Sequence, residues 1–123
     1  MVVAVVVSGM LVLPAGALGG PRSDDDDVRV TGTCSGKSRA TMRVRADDGS
    51  LRVELRIDPG RAGPWNVVLL HERRIAFRGT IRARSSSGSV RLRRTVADWF
   101  GRDTLVARAT GPRRETCRAT ATI

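Results

Sequence analysis

Between residues 39 and 58 apolar and polar side chains alternate with a period of two. Ala40, Met42, Val44 and Ala46 are separated by Thr41, Arg43 and Arg45, and Leu51, Val53, Leu55 and Ile57 by Arg52, Glu54 and Arg56. Successive side chains of an extended strand point to opposite faces, so each run predicts a strand with one apolar and one wet face. Asp48-Gly49 lies between them, and this dipeptide suits a two-residue type I′ turn, in which both central residues need positive φ. With Asp47 opposite Ser50, the hairpin sets Ala46 against Leu51, Val44 against Val53, Met42 against Leu55 and Ala40 against Ile57. Every apolar pair then falls on one face. On the other, Arg43 meets Glu54, Arg39 meets Asp58 and Arg45 meets Arg52. Turn chemistry and hydrophobic phase specify the same register.

The rest of the chain reads the same way. Residues 58–64 (DPGRAGP) are a loop by their Pro and Gly content. Residues 65–71 (WNVVLLH) predict a strand whose nearly continuous apolar character implies cover on both sides. Residues 74–84 place Ile75, Phe77, Gly79, Ile81 and Ala83 on one face, and residues 89–96 bring back Val90 and Leu92. The intervening Ser85-Ser86-Ser87-Gly88 predicts a second hairpin, with Ala83 opposite Val90, Ile81 opposite Leu92 and Arg82 facing Arg91. Arg94 falls on the apolar phase there, opposite Gly79, which marks a strand end or a bulge. Residues 97–103 (ADWFGRD) form a corner, and residues 104–110 resume a strand with Leu105, Ala107 and Ala109 inward. The Gly111-Pro112 turn leads to a last strand over residues 116–123. Counting residues 28–33 as the first, about seven or eight short strands without a helical period predict an all-β, immunoglobulin-like antiparallel sandwich.

The N-terminus changes the picture by giving an address. Residues 2–13 (VVAVVVSGMLVL) are an apolar run, shorter than the roughly 20 residues of a membrane-spanning helix and suited to the hydrophobic region of an export signal. Pro14 ends it, and Ala15-Gly16-Ala17 offers small residues for cleavage near residues 17–19. No Lys or Arg precedes the run. The expected organisation is a signal peptide over residues 1–17, an acidic leader over 18–27 ending in Asp24-Asp25-Asp26-Asp27, and the domain over 28–123. The mature chain is expected outside the cell, with no transmembrane segment. Cys34 and Cys117, an even pair in an exported chain, read as one disulfide that closes most of the domain into a loop.

Charge and composition narrow the chemistry. The chain has 22 basic and 12 acidic residues, a formal charge of +10, no Tyr and one His. A 41% apolar content is too high for a disordered polycation, and 123 residues leave room for one small domain. Residues 31–38 (TGTCSGKS) approach a phosphate-binding loop, but the glycines are too close together and a strand follows where a helix is needed. His71-Glu72 opens like a zinc-protease motif, yet Ile75 stands at the position of the second histidine. His71 therefore reads as an exposed turn residue. Glu54, Asp58, Glu72 and Asp98 offer carboxylates without a cleft to pair them, and the tetra-Asp run reads as a solubilising leader rather than a calcium loop. No catalytic residue, metal or cofactor is expected.

The arginines carry the one functional accent. Arg43, Arg45, Arg52, Arg56, Arg78, Arg82, Arg84, Arg91 and Arg93 fall on the expected wet faces as candidate anion-binding residues. Like charges directly opposed across a sheet cost stability, and an anionic polymer such as teichoic acid, an acidic glycan or nucleic acid relieves that cost. A GC-rich genome also yields such an excess of Arg over Lys.

Trp65 opening a middle strand, the corner Asp98-Trp99-Phe100-Gly101-Arg102-Asp103 followed by Thr104-Leu105-Val106-Ala107, and Cys117 in the last strand carry a family likeness. Over residues 28–123 the chain resembles the small secreted immunoglobulin-like or fibronectin-type-III-like sandwiches of actinobacterial envelopes. It differs from true immunoglobulin domains in lacking a Tyr for the tyrosine corner. Export signal, fold and lack of catalytic groups together point to a secreted, non-catalytic binding or accessory module at the cell envelope. Its expected partner is an anionic envelope polymer or another envelope protein; the alternative reading makes polyanion binding through the arginine faces its function.

Overall fold

In the computed structural model, which describes residues 26–58, 62–84 and 88–123, the strands are β1 (Asp27–Thr31), β2 (Thr33–Cys34), β3 (Arg39–Asp47), β4 (Ser50–Asp58), β5 (Gly63–His71), β6 (Arg74–Ala83), β7 (Val90–Ala97), β8 (Thr104–Thr110) and β9 (Thr116–Thr122). The expected export signal, most of the leader and parts of the loops after β4 and β6 lie outside the described residues. Asp48 and Gly49 adopt φ of 45° and 79°, and β3 and β4 pair in the register that the alternation requires, from Arg39 opposite Asp58 to Asp47 opposite Ser50.

Two antiparallel sheets result, ordered β1-β3-β4-β7 and β2-β9-β8-β5-β6. Their inner faces make one core. Met42, Val44, Leu51, Val53, Leu55 and Ile57 come from the first sheet, and Trp65, Val67, Leu69, Leu105, Ala107, Ala109, Ala119 and Ala121 from the second. Leu55 and Ile57 lie against Ala107, Ala109, Cys117 and Ala119, so long side chains on one sheet meet short ones on the other and the layers approach closely. No helix among the described residues is long and apolar enough to cross a membrane.

The expected first strand is two. β1 belongs to the four-stranded sheet and β2 to the five-stranded one, so residues 31–38 carry the chain from one sheet to the other and back. Asp27, read above with the leader, opens β1 opposite Arg45. The disulfide is formed: Cys34 and Cys117 face one another across β2 and β9, their Cα atoms 4.1 Å apart. It therefore clips neighbouring strands of one sheet rather than joining the two sheets.

The second expected hairpin does not form. β6 pairs with β5 through a turn at Glu72 and Arg73, both left-handed at φ of 51° and 67°. β7 crosses to the other sheet and pairs with β4, setting Val90 opposite Ile57 and Leu92 opposite Leu55. The physical reason is that a period of two fixes which face a residue takes and says nothing of which strand lies beside it. β5 is not covered on both sides. Trp65, Val67, Leu69 and His71 are buried, whereas Val68 and Leu70 are half-buried on the outer face. A bulge follows: Leu69 opposes Phe77 but Leu70 opposes Ile75, so Ala76 is the extra residue. Ile75 is thereby turned outward, away from the face of Phe77, Gly79 and Ile81, and is 52% exposed.

Arg94 marks neither a strand end nor a bulge. β7 runs past it to Ala97 and keeps it opposite Val53 on the inward phase. It sits at the open side of the sandwich where β6 and β7 are both edge strands, with its guanidinium 4.5 Å from the Phe77 ring. The cation caps the core edge by lying over the aromatic face while its charge stays in water.

Trp65 is fully buried and its indole lies against Gly111, where an added Cβ would stand 2.5 Å from the ring. Gly111→Ala must displace either the indole or the backbone, and a loss of about 1–3 kcal/mol is expected. Urea unfolding followed by Trp65 fluorescence measures it; a midpoint equal to that of the unaltered chain contradicts the close packing.

Candidate functional site

Strand register arranges the outer face of the four-stranded sheet in rows. Asp27, Arg45, Arg52 and Thr95 form one row, Arg29, Arg43, Glu54 and Arg93 the next, and Thr31, Thr41, Arg56 and Arg91 a third. Neighbouring strands are about 4.8 Å apart, so arginines adjacent in a row start from nearly the same point. Arg45 stands beside Arg52 and Arg56 beside Arg91.

Acids on this face reach some of the arginines. Asp27 takes two hydrogen bonds from Arg43, at 2.9 Å from Nε and 2.6 Å from Nη2. Arg52 pairs with Asp47 at 3.0 Å, Arg93 with Glu54 at 3.7 Å, and Arg56 with Asp58. Arg29, Arg45 and Arg91 hold no ion pair among the described residues. Arg43's hydrogen bonds hold the Asp27 carboxyl below its ordinary range, helped by the charges of Arg45 and Arg29. Asp58 is lowered by the hydroxyl of Ser89, which donates to it, and by Arg56 and the charge of Arg91.

Two open grooves follow the rows. One of about 710 Å³ is lined by Arg43, Arg45, Arg52, Arg93 and Thr95, and one of about 420 Å³ by Arg29, Thr31, Thr41, Arg43 and Arg56. Arg43 and Glu54 border both, so together they cross the sheet as one basic track suited to an extended anionic chain.

Of the residues expected to bind anions, Arg43, Arg45, Arg52, Arg56, Arg91 and Arg93 are brought together here. Arg78 and Arg82 are not, because β6 belongs to the other sheet and turns them to the opposite side of the sandwich. Arg82 is opposite Pro64, and the neighbour of Arg91 is Arg56. Arg84 follows β6 where the chain leaves that sheet. Arg29 was missed, though its alternation with Val28 and Val30 carried the signal.

His71 is not an exposed turn residue. It continues the inward phase of Trp65, Val67 and Leu69, is 3% exposed, and its Nε2 lies 2.8 Å from Oδ1 of the equally buried Asp103. Trp99 stacks on the imidazole with ring centroids 4.0 Å apart and planes 12° from parallel. The main chain of Asp103 pairs in both directions with Ile123, and Glu72 accepts from the Thr104 N–H. The turn begins one residue later than the sequence reading placed it, at Glu72. Among the described residues no hydroxyl or thiol hydrogen-bonds to His71, so the pair orients an imidazole without presenting a nucleophile to it. Cys34, Glu115 and Cys117 are close enough to suggest metal ligands, but both sulfurs are joined in the disulfide, and the Glu115 carboxylate accepts from the Ser38 N–H at 3.1 Å.

Compared with family models, curated proteins and solved structures, the chain matches none of them.

Proposed function

We propose that this chain is an exported binding module that holds an anionic polymer along the arginine rows of its four-stranded sheet. The observation that carries the reading is the pairing of Arg45 with Arg52 and of Arg56 with Arg91 as direct cross-strand neighbours, with Arg45 and Arg91 lacking ion pairs among the described residues. Opposed like charges weaken the sheet that carries them. A polymer bearing phosphates or carboxylates removes that repulsion and releases counterions as it binds. The disulfide supports an oxidising compartment, and the apolar run at residues 2–13 supports export.

Within this class a cell-envelope polymer such as teichoic acid or an acidic glycan fits better than nucleic acid. Reading single-stranded bases takes aromatic rings for stacking. Here Trp65 is in the core, Phe77 lies under Arg94, and the exposed Trp99 and Phe100 belong to the corner after β7; no aromatic ring among the described residues lines either arginine groove.

The test is retention of the mature, disulfide-intact chain on immobilised poly(glycerol phosphate) at low, physiological and high salt. Engagement of three or four phosphates gives a slope of log affinity against log salt of roughly −2 to −3, at about −0.7 for each phosphate on a flexible strand. Retention independent of salt overturns the proposal.

A further inference from the structure

The corner between β7 and β8 exposes aromatic surface on a rigid frame. Phe100 is completely exposed and Trp99 38% exposed; with Ile75 they are the exposed large apolar side chains among the described residues. The corner is fastened on both sides. The Asp98 N–H donates to the Gly49 carbonyl at 3.0 Å, and Asp103 pairs with Ile123 at 2.9 and 3.0 Å. Trp99 is held by its stack on His71, with the Arg74 guanidinium 5.7 Å above the ring. Phe100 is thus presented to water by a pinned loop.

The surroundings of this tip are basic. Arg73, Arg74 and Arg102 are exposed around it; of the acids at this end, Glu72 accepts from Thr104, Asp103 is buried against His71, and Asp98 is half-buried within the corner, which leaves the cations in excess. Ile75 adds apolar surface at the same end, next to Leu70 and, one strand further, Val106 on the outer face of the five-stranded sheet.

An exposed apolar tip flanked by an excess of cations fits a surface that yields to it and carries negative charge. Trp and Phe settle at the headgroup level of a bilayer, where an apolar body and a polar edge are both accommodated. Arginines beside them gain from anionic lipid phosphates. We propose that the Trp99-Phe100 corner is an interfacial anchor that dips into an anionic lipid bilayer, with Arg73, Arg74 and Arg102 on the headgroup phosphates. This site is separate from the arginine rows of the four-stranded sheet and stands without them.

Vesicles of phosphatidylglycerol mixed with phosphatidylcholine test it, using the mature chain and its own tryptophans. Trp65 is fully buried, so a change in emission on adding vesicles reports Trp99. The expected result is a blue shift of Trp99 emission with quenching by brominated acyl chains. A loss of partitioning of about tenfold is expected for Phe100→Ser, a substitution at an exposed position that leaves the fold intact. Arg45→Glu with Arg91→Glu, on the separate arginine rows, keeps the blue shift. Sedimentation with vesicles that is unchanged by Phe100→Ser and unaccompanied by a blue shift overturns the anchor and leaves only general attraction of a basic protein. Failure to bind these vesicles at low salt overturns it as well.

Discussion

Replacing Cys34 and Cys117 together by alanine lowers the unfolding free energy by about 3–5 kcal/mol. The bridge spans a sequence separation of 83 residues, and cross-linking so long a loop removes much of the freedom of the unfolded chain; the entropic model sets the upper end of that range. The native state also depends on it locally. β2 is two residues long and pairs with Arg118 and Cys117 of β9, extended among the described residues only by Ser35, whose N–H donates to the Thr116 carbonyl at 2.8 Å and whose Oγ accepts from the Thr116 N–H at 3.0 Å. Without the bridge these few bonds alone hold β2, and it frays from the edge of β9. The thermal midpoint is expected to fall by roughly 15 °C or more, measured by calorimetry of the oxidised chain and the double variant. A shift of only a degree or two contradicts the assigned role.

His71→Leu is expected to cost about 3–5 kcal/mol, for a different reason. Asp103 is 1% exposed, and its second oxygen, Oδ2, accepts no hydrogen bond from the described residues. The imidazole at 2.8 Å is what compensates its carboxylate, and taking one partner from a buried polar pair leaves the other desolvated and unpaired. The Trp99 stack is lost with it. Removing both polar groups, in His71→Leu with Asp103→Leu, recovers part of the loss, since an apolar pair leaves no buried polar group without its partner. Urea unfolding of the two single variants and the double variant gives the coupling. A double variant as unstable as the sum of the singles would show that the pair does not act as a unit.

How far the sequence could be read depended on which physical signal each element carries. The β3–β4 hairpin was legible to the residue because Asp48-Gly49 fixes the turn and the alternation on both sides fixes the phase. The β5–β6 hairpin was not, because its turn uses Glu72 and Arg73 in left-handed backbone, where Gly or Asn is the usual sign. That error displaced β7 onto the wrong neighbour and moved Arg78 and Arg82 onto the wrong side of the molecule. The inserted Ala76 inverted Ile75, an effect that strict alternation does not foresee. His71 was readable in principle: counting by twos from Trp65 puts it inside, and the charged residues after it drew the reading toward the turn. The basic face was half legible. Its arginines alternate visibly with the core, but joining β7 to the β3–β4 hairpin depended on tertiary pairing.

On the proposed function one face, and not net charge, binds the polymer. Two variants with the same change in charge separate these: Arg45→Glu with Arg91→Glu on the four-stranded sheet, and Arg78→Glu with Arg82→Glu on the other side. Affinity for poly(glycerol phosphate) at physiological salt is the quantity to measure. The first pair is expected to lose about a hundredfold and the second no more than about threefold. Equal losses for the two pairs would rule out a dedicated face and reduce the arginines to a general positive charge.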